Sequence, residues 1–256
     1  MAKGIQSIMK ITSVNNDLVK ETAKLLKGKY RDETGLFLIE GEKGVKEAIS
    51  AGVNIERIFV LEGINGYPEE KIIETTEAVL SKISDAKSAP KVVAVAHQIK
   101  TEVNDIKNAK RVILLEGIKD AGNLGTILRT TSAFGIDGII LYGDTVDLYN
   151  PKCVRSTVGC LWKTPVIKVE NFKGLKDIFT PFERVATLPK GDNVIGLSDY
   201  KPSEKVLIMF GSEADGLSEE LKNFATKNVT IEMAENVESL NLSISVGIIA
   251  YKLRQV

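Results

Sequence analysis

The chain has 256 residues, 43% hydrophobic and 27% charged, with equal numbers of basic and acidic side chains and a formal net charge of zero. Ample apolar content with no net charge excludes an intrinsically disordered chain, and 21 Gly with 7 Pro are too few for a collagenous or low-complexity one. No apolar run approaches the roughly 20 residues of a membrane helix, and no signal-type segment follows Met1-Ala2-Lys3, so no membrane partner is expected.

At about 150 residues per domain, the length leaves room for one large domain or two modest ones. Two cysteines, Cys153 and Cys160, cannot build a disulfide framework and suit a reduced, cytoplasmic setting. With His97 as the one histidine, no metal site is expected.

The charge is unevenly spread. From Lys3 to Arg31, seven basic residues (Lys3, Lys10, Lys20, Lys24, Lys27, Lys29 and Arg31) stand against two acids, Asp17 and Glu21. On charge alone such an arm is either a phosphate-binding footprint or a solvated helix face. Within it, Asn15–Leu26 reads as a short helix capped by Asn15 or Asn16. Gly35–Gly41 reads as a buried strand closed by glycines, Val45–Ala51 as a helix, and Ile55–Leu61 and Val92–Ala96 as strands. This alternation predicts a small α/β domain with parallel pairing. The polar, aperiodic stretch Lys100–Lys110 reads as a linker, giving domains over 1–100 and 108–256.

A second alternation follows. Strands are predicted at Arg111–Leu115, Gly138–Tyr142, Pro165–Val169, Arg184–Leu188, Val206–Phe210 and Val229–Met233. Helices are predicted at Leu124–Phe134, at Pro151–Cys160 with proline in the first turn, at Leu217–Phe224 with Ser218 inside it, and from Leu240 to about Arg254. This is a doubly wound α/β pattern, whose ligands sit beyond the carboxyl ends of the strands.

Three turns at those ends carry the informative residues. Glu116–Gly125 is a Gly-rich turn before a helix, lacking both the G-x-G-x-x-G spacing of dinucleotide binders and the Gly-Lys-Ser/Thr of a P-loop. Arg129, one turn beyond Gly125, is either a phosphate ligand or a surface arginine paired with an acid. Phe210-Gly-Ser-Glu-Ala-Asp-Gly-Leu217 holds Glu213, which could pair with Arg129 or accept hydrogen bonds from a ligand. It is not a nucleophile elbow, and His97 lies far off in the chain, so a hydrolase triad is not expected. Ile231–Ser243 opens the last helix, with Ser239 and Asn241 as natural caps or as ligands to a polar group. Trp162 reads as a packing residue and His97 as structural.

These segments together resemble the SpoU/TrmH family of RNA ribose 2′-O-methyltransferases, part of the SPOUT superfamily. The likeness rests on Asn123-Leu-Gly-Thr-Ile-Leu-Arg-Thr130 with Ala133-Phe-Gly135, on Phe210–Glu213 with Gly216-Leu217, and on Ser239-Leu-Asn-Leu-Ser243. Pro151–Ser156 with Gly159 resembles the stretch between the first two motifs. Lys29-Tyr-Arg31, Gly35–Gly41 and Ala89–Ala94 resemble the substrate-binding domain that precedes the methyltransferase. The chain departs from the family pattern at Ala121, Glu232 and Glu235.

The resemblance implies a SPOUT α/β domain with a deep trefoil knot after a small L30e-like α/β RNA-binding domain. It also implies a homodimer with active sites near the interface and S-adenosylmethionine as cofactor. Thr187, Leu188, Gly211, Ile231, Met233 and Leu240 are then expected against the cofactor. Asn123, Arg129, Glu213, Ser239 and Asn241 are expected around the reacting atoms, and Lys27, Lys29, Arg31 and Arg155 on RNA. The implied substrate is RNA, with 23S rRNA favoured over tRNA; a non-catalytic RNA- or ribosome-binding protein of the same fold is the alternative.

Overall fold

In the computed structural model the described residues are 9–171, 173–237 and 239–254, which leaves Lys3 of the basic arm outside them. No described helix is long and apolar enough to cross a membrane. The chain divides into two compact units. One runs from the N-terminal region to Ile99 and includes Asp147–Trp162; the other holds Lys100–Val146 and everything from Lys163 onward.

The first unit comprises β1 (Met9–Ile11), α1 (Asp17–Lys24), α2 (Gly28–Thr34), β2 (Leu36–Glu40), α3 (Glu42–Ser50), β3 (Ile55–Leu61), β4 (Ile72–Thr75), α4 (Glu77–Lys82) and β5 (Val92–His97). Asn16 caps α1, its side chain accepting from the Leu18 amide. The sheet order is β1-β4-β3-β5-β2. Its pairing corrects the parallel expectation: β4 runs parallel to β1 and β3, but β5 runs antiparallel to β2 and β3. Alternation of helices and strands does not by itself fix strand direction. Here the helix α4 is followed by a long coil, residues 83–91, from which β5 enters antiparallel beside β3, while β3 and β4 are parallel without an α-helix between them. Val19, Leu38, Phe59, Val79, Val93 and Val95 form the core beneath this sheet.

α6 (Pro151–Thr157), with Pro151 in its first turn, belongs to this unit although it lies in the second half of the sequence. Ionic and polar ties fasten its segment. Arg31, 2% exposed, donates through Nε to Asp147 Oδ2 at 2.7 Å and through a terminal nitrogen to the Leu25 carbonyl at 2.7 Å. Tyr149 Oη donates to the Ile99 carbonyl at 3.0 Å and accepts from the Ile99 amide at 2.8 Å; burial pushes its phenol up to about 12. Arg155 donates to Glu40 Oε2 at 2.9 Å and pairs with Asp85. Burial raises the Glu40 acid above its ordinary value.

Both arginines are therefore paired with acids inside the unit. Truncating Arg31 removes the donor to Asp147 Oδ2 and to the buried Leu25 carbonyl. Arg31→Ala is expected to cost about 3 kcal/mol in denaturant unfolding, and a loss below about 0.5 kcal/mol would contradict this.

The second unit begins within the predicted linker. A 3₁₀ turn at Val103–Ile106 buries Ile106 completely, so this stretch is packed and not a free tether. Then come β6 (Arg111–Glu116), α5 (Ala121–Ala133) and β7 (Gly138–Tyr142). β8 (Val166–Val169), α7 (Lys173–Phe179), β9 (Glu183–Thr187), β10 (Ile195–Gly196), β11 (Val206–Phe210), α8 (Glu219–Phe224), β12 (Lys227–Thr230) and α9 (Leu242–Arg254) follow.

The seven strands, ordered β10-β12-β9-β11-β6-β7-β8, all pair in parallel. Parallel strands covered on both faces read as continuous apolar runs, and Val206–Phe210 is buried throughout. The strand order reverses direction across β11 and β6, and such a switch point is where an open parallel sheet leaves a crevice.

Three boundaries differ from expectation, each through a cap or a lost ladder. α5 starts at Ala121 because Asp120 accepts from the Asn123 amide at 2.8 Å, so Gly122–Gly125 are helical and not a turn. Ser218 lies outside α8 and caps it through the Leu221 amide. β12 ends at Thr230, which leaves Ile231–Met233 outside the sheet.

Candidate functional site

A cleft of about 780 Å³ opens where β9, β11 and β12 end. The segment after β9 contributes Thr187–Gly191, that after β11 contributes Phe210–Leu217, and that after β12 contributes Ile231, Met233, Ser239 and Leu240. All six residues expected against a cofactor (Thr187, Leu188, Gly211, Ile231, Met233 and Leu240) line it, as do Glu213 and Ser239. The volume falls in the range of small-molecule sites, and apolar Leu188, Leu217, Ile231 and Leu240 alternate with exposed loop backbone.

The floor is the 211–217 loop. It folds back on itself: the Gly216 amide donates to the Ser212 carbonyl at 3.0 Å and the Asp215 amide to Ser212 Oγ at 2.9 Å. The two sides approach so closely that a Cβ on Gly211 would overlap the Gly216 carbonyl carbon and the Leu217 nitrogen. Only glycine fits there. The far end of the loop is pinned by Glu116, whose Oε2 accepts from the Ser218 amide at 2.7 Å. Glu116 was not among the expected residues; its signal is an acid closing an apolar strand.

On the rim, three side chains from three segments meet. Asn123 on α5 donates through Nδ2 to Glu213 Oε1 at 2.8 Å. Asn241 donates through Nδ2 to Asn123 Oδ1 at 3.1 Å and approaches Glu213 Oε1 at 3.5 Å. Asn241 Oδ1 in turn accepts from the amide of Ser243 at 2.9 Å and its hydroxyl at 2.6 Å, so Asn241, and not Ser239, caps α9. The result is a directed chain of donors ending on one oxygen of Glu213. The other oxygen, Oε2, has no hydrogen bond among the described residues.

Arg129 is not part of this cluster. It is exposed on α5 and makes no hydrogen bond or ion pair with a described residue, so Glu213 pairs with Asn123 and not with it. Of the departing residues, Glu232 and Glu235 are exposed and neither lines the cleft. Lys27 and Lys29 are exposed, Lys29 lying 3.8 Å from Glu33. His97 closes β5 in the open, Cys153 is buried, and Trp162 is half-buried with its indole nitrogen unpartnered among the described residues.

A parallel α/β unit with a ligand-sized cleft beyond its strand ends, and an amide–carboxylate cluster at the rim, is the architecture in which such folds bind nucleotide-like groups. Residues 110–251 match the model of the SpoU rRNA Methylase family, and residues 16–94 match the MRM3-like substrate binding domain. The chain belongs to the SpoU rRNA methylase family.

It is 30% identical to an uncharacterised tRNA/rRNA methyltransferase of Synechocystis, over 97% of this chain and 94% of that one. It is 29% identical to the 23S rRNA (guanosine(2553)-2′-O)-methyltransferase RlmP of Bacillus subtilis, over 95% and 98%. The crystal structure of an AdoMet-bound rRNA methyltransferase from Sinorhizobium meliloti superposes with a TM-score of 0.85 at 30% identity, covering 96% of this chain and 97% of that one.

Proposed function

We propose that this protein is an S-adenosylmethionine-dependent RNA ribose 2′-O-methyltransferase that acts on 23S rRNA. The observation that carries the reading is the cleft: segments of all three methylase motifs wall it or meet at its rim. The named activity of the Bacillus relative and the ligand of the Sinorhizobium structure support the substrate class and the cofactor. Leu188, Gly211, Ile231, Met233 and Leu240 would hold the cofactor, with Thr187 at the end of β9 behind them. When bound, S-adenosylmethionine supplies a methyl group activated by its sulfonium charge.

The chain's own residues then have to orient a ribose hydroxyl, take its proton and stabilise the oxygen that becomes anionic. Glu213 Oε2, left over by the Asn241–Asn123 chain, is the acceptor for that hydroxyl proton. A guanidinium carries only donors and no acceptor, so Arg129 does not take that proton. Its free guanidinium suits a bidentate clamp on the target phosphate and stabilisation of the developing oxyanion. Ser239 borders the same rim.

The reading includes the deep trefoil knot, a cytoplasmic location and a homodimer. Cys153 and Cys160, neither of them in a disulfide, support the location. Ile244, Ile248 and Tyr251 support the dimer: they are exposed apolar residues spaced four and three apart on one face of α9. Phe134, the residue that caps the end of α5, stacks edge-on against Tyr251 at 5.5 Å, which supports an active site near the interface. Tyr251→Glu is expected to halve the mass measured by sedimentation; an unchanged mass would contradict the dimer face.

The exposed lysines of α1–α2 are the phosphate footprint, with Arg31 and Arg155 withdrawn from it. Reversing Lys27 and Lys29 to Glu is expected to weaken RNA binding and to lower the slope of log affinity against log salt by about two. Unchanged affinity would refute that role. The functional reading as a whole is tested by calorimetry with S-adenosylhomocysteine and, in parallel, NAD. Binding of the first alone is expected, whereas binding of neither marks a non-catalytic RNA binder and binding of NAD a dehydrogenase-type site.

A further inference from the structure

Ile231 and Met233 both line the cleft, but they follow the point where the β12 ladder stops, at Thr230. The residue between them, Glu232, does not line it. Its Oε1 accepts from the Ser198 amide at 2.9 Å and from the Ser198 hydroxyl. Ser198 is itself well anchored. It follows β10, which pairs with Val229–Thr230; the Leu197 amide donates to the Thr230 carbonyl at 2.8 Å; and Lys252 of α9 donates to the Ser198 carbonyl at 3.2 Å.

The Glu232 carboxylate also lies directly over the backbone of Gly196, where an added Cβ would overlap it. Ser198 supplies the donors and Gly196 the space. The Ser198 hydrogen bonds hold the Glu232 acid below its ordinary value, so the carboxylate is charged at neutral pH.

We propose that Glu232 is a positioning residue: hydrogen-bonded to Ser198 across Gly196, it straps the segment 231–233 to the β10 turn and so fixes one wall of the cofactor cleft. The inference rests on the reading of that cleft as the S-adenosylmethionine site. A wall that follows a strand end has no ladder to hold it, and a charge-assisted pair of hydrogen bonds to a neighbouring turn does that work from outside the cleft. Glu232 touches no reacting atom, so its removal should loosen cofactor binding and leave the chemistry alone.

The test uses the full chain with Ser198→Ala, Glu232→Ala and Gly196→Ala. Calorimetry with S-adenosylhomocysteine measures the cleft, and hydrogen exchange of residues 231–237 in the ligand-free protein measures the strap directly. Each variant is expected to raise Kd roughly three- to tenfold, to speed exchange in that segment, and to keep turnover at saturating cofactor within about twofold of wild type. Wild-type affinity and exchange in the variants would overturn the proposal, as would a fall in turnover with Kd unchanged.

Ser198 is exposed, so Ser198→Ala carries the test even where Gly196→Ala fails to fold. A wild-type chain that binds no S-adenosylhomocysteine would instead overturn the functional reading, while the exchange comparison would still decide whether Glu232 holds the segment.

Discussion

Gly211→Ala is expected to abolish binding of S-adenosylhomocysteine, with a loss of at least ~100-fold in affinity measured by calorimetry. The added methyl would overlap the Gly216 carbonyl carbon and the Leu217 nitrogen, which are backbone atoms that no rotamer change can move. Relief requires the 211–217 loop to open. Opening breaks the Gly216–Ser212 hydrogen bond, lifts the cleft floor and draws Glu213 away from Asn123. The clash lies beyond the β11 ladder, which pairs Val206–Phe210 with β6 and stays intact. The global cost should therefore be about 1–3 kcal/mol, and the chain should remain folded. An alanine variant that binds with wild-type affinity would contradict the assignment of this loop as the cofactor floor.

Arg129→Ala is expected to slow methyl transfer by about 10²- to 10³-fold, the usual cost of removing a group that stabilises developing charge. Because Arg129 does not line the cleft, affinity for S-adenosylhomocysteine should stay within about threefold. Arg129→Lys separates charge from geometry: lysine keeps the cation but not the planar fork, so at least ~tenfold of the loss should remain. Near-normal turnover in Arg129→Lys would rule out the bidentate clamp. A large loss of cofactor affinity in Arg129→Ala would contradict a role outside the cleft.

Much of the second unit was legible because buried parallel strands announce themselves. Val206–Phe210 and Val112–Leu115 are continuous apolar runs of strand length bounded by polar residues or glycine. What was hidden depends on contacts remote in sequence. β4, with only four residues, carries too little periodicity to read. The antiparallel entry of β5 has no local signal. The start of α5 was masked by its glycines, which argue for a turn until Asp120 is seen capping the Asn123 amide.

The assignment of Asp147–Trp162 to the first unit is a matter of Arg31 reaching Asp147 across 116 positions, and of Arg155 reaching Glu40 across 115. Charge counting puts Arg31 in a basic arm because it cannot see that the side chain is buried.

The site divides in the same way. The residues expected against the cofactor could be picked by motif, and they do line one cleft. The hydrogen-bond chain that orients Glu213 spans Asn123 and Asn241, 118 positions apart, and the direction of its donors exists only in three dimensions. Arg129 and Glu213, which the sequence allows to pair, do not: Glu213 is bonded to Asn123 instead. Glu232 looked like an intrusion into the cofactor loop, whereas its carboxylate is taken up by Ser198 outside the cleft.

The most direct measurement is transfer of a labelled methyl group from S-adenosylmethionine to unmodified rRNA and tRNA, with Arg129→Ala alongside and the products digested to nucleosides. Label is expected on a ribose 2′-oxygen of one nucleotide in 23S rRNA, with none in tRNA and its loss in the Arg129→Ala control. Label on tRNA alone would move the substrate assignment. Label on a base, or no label in either RNA, would contradict a ribose methyltransferase.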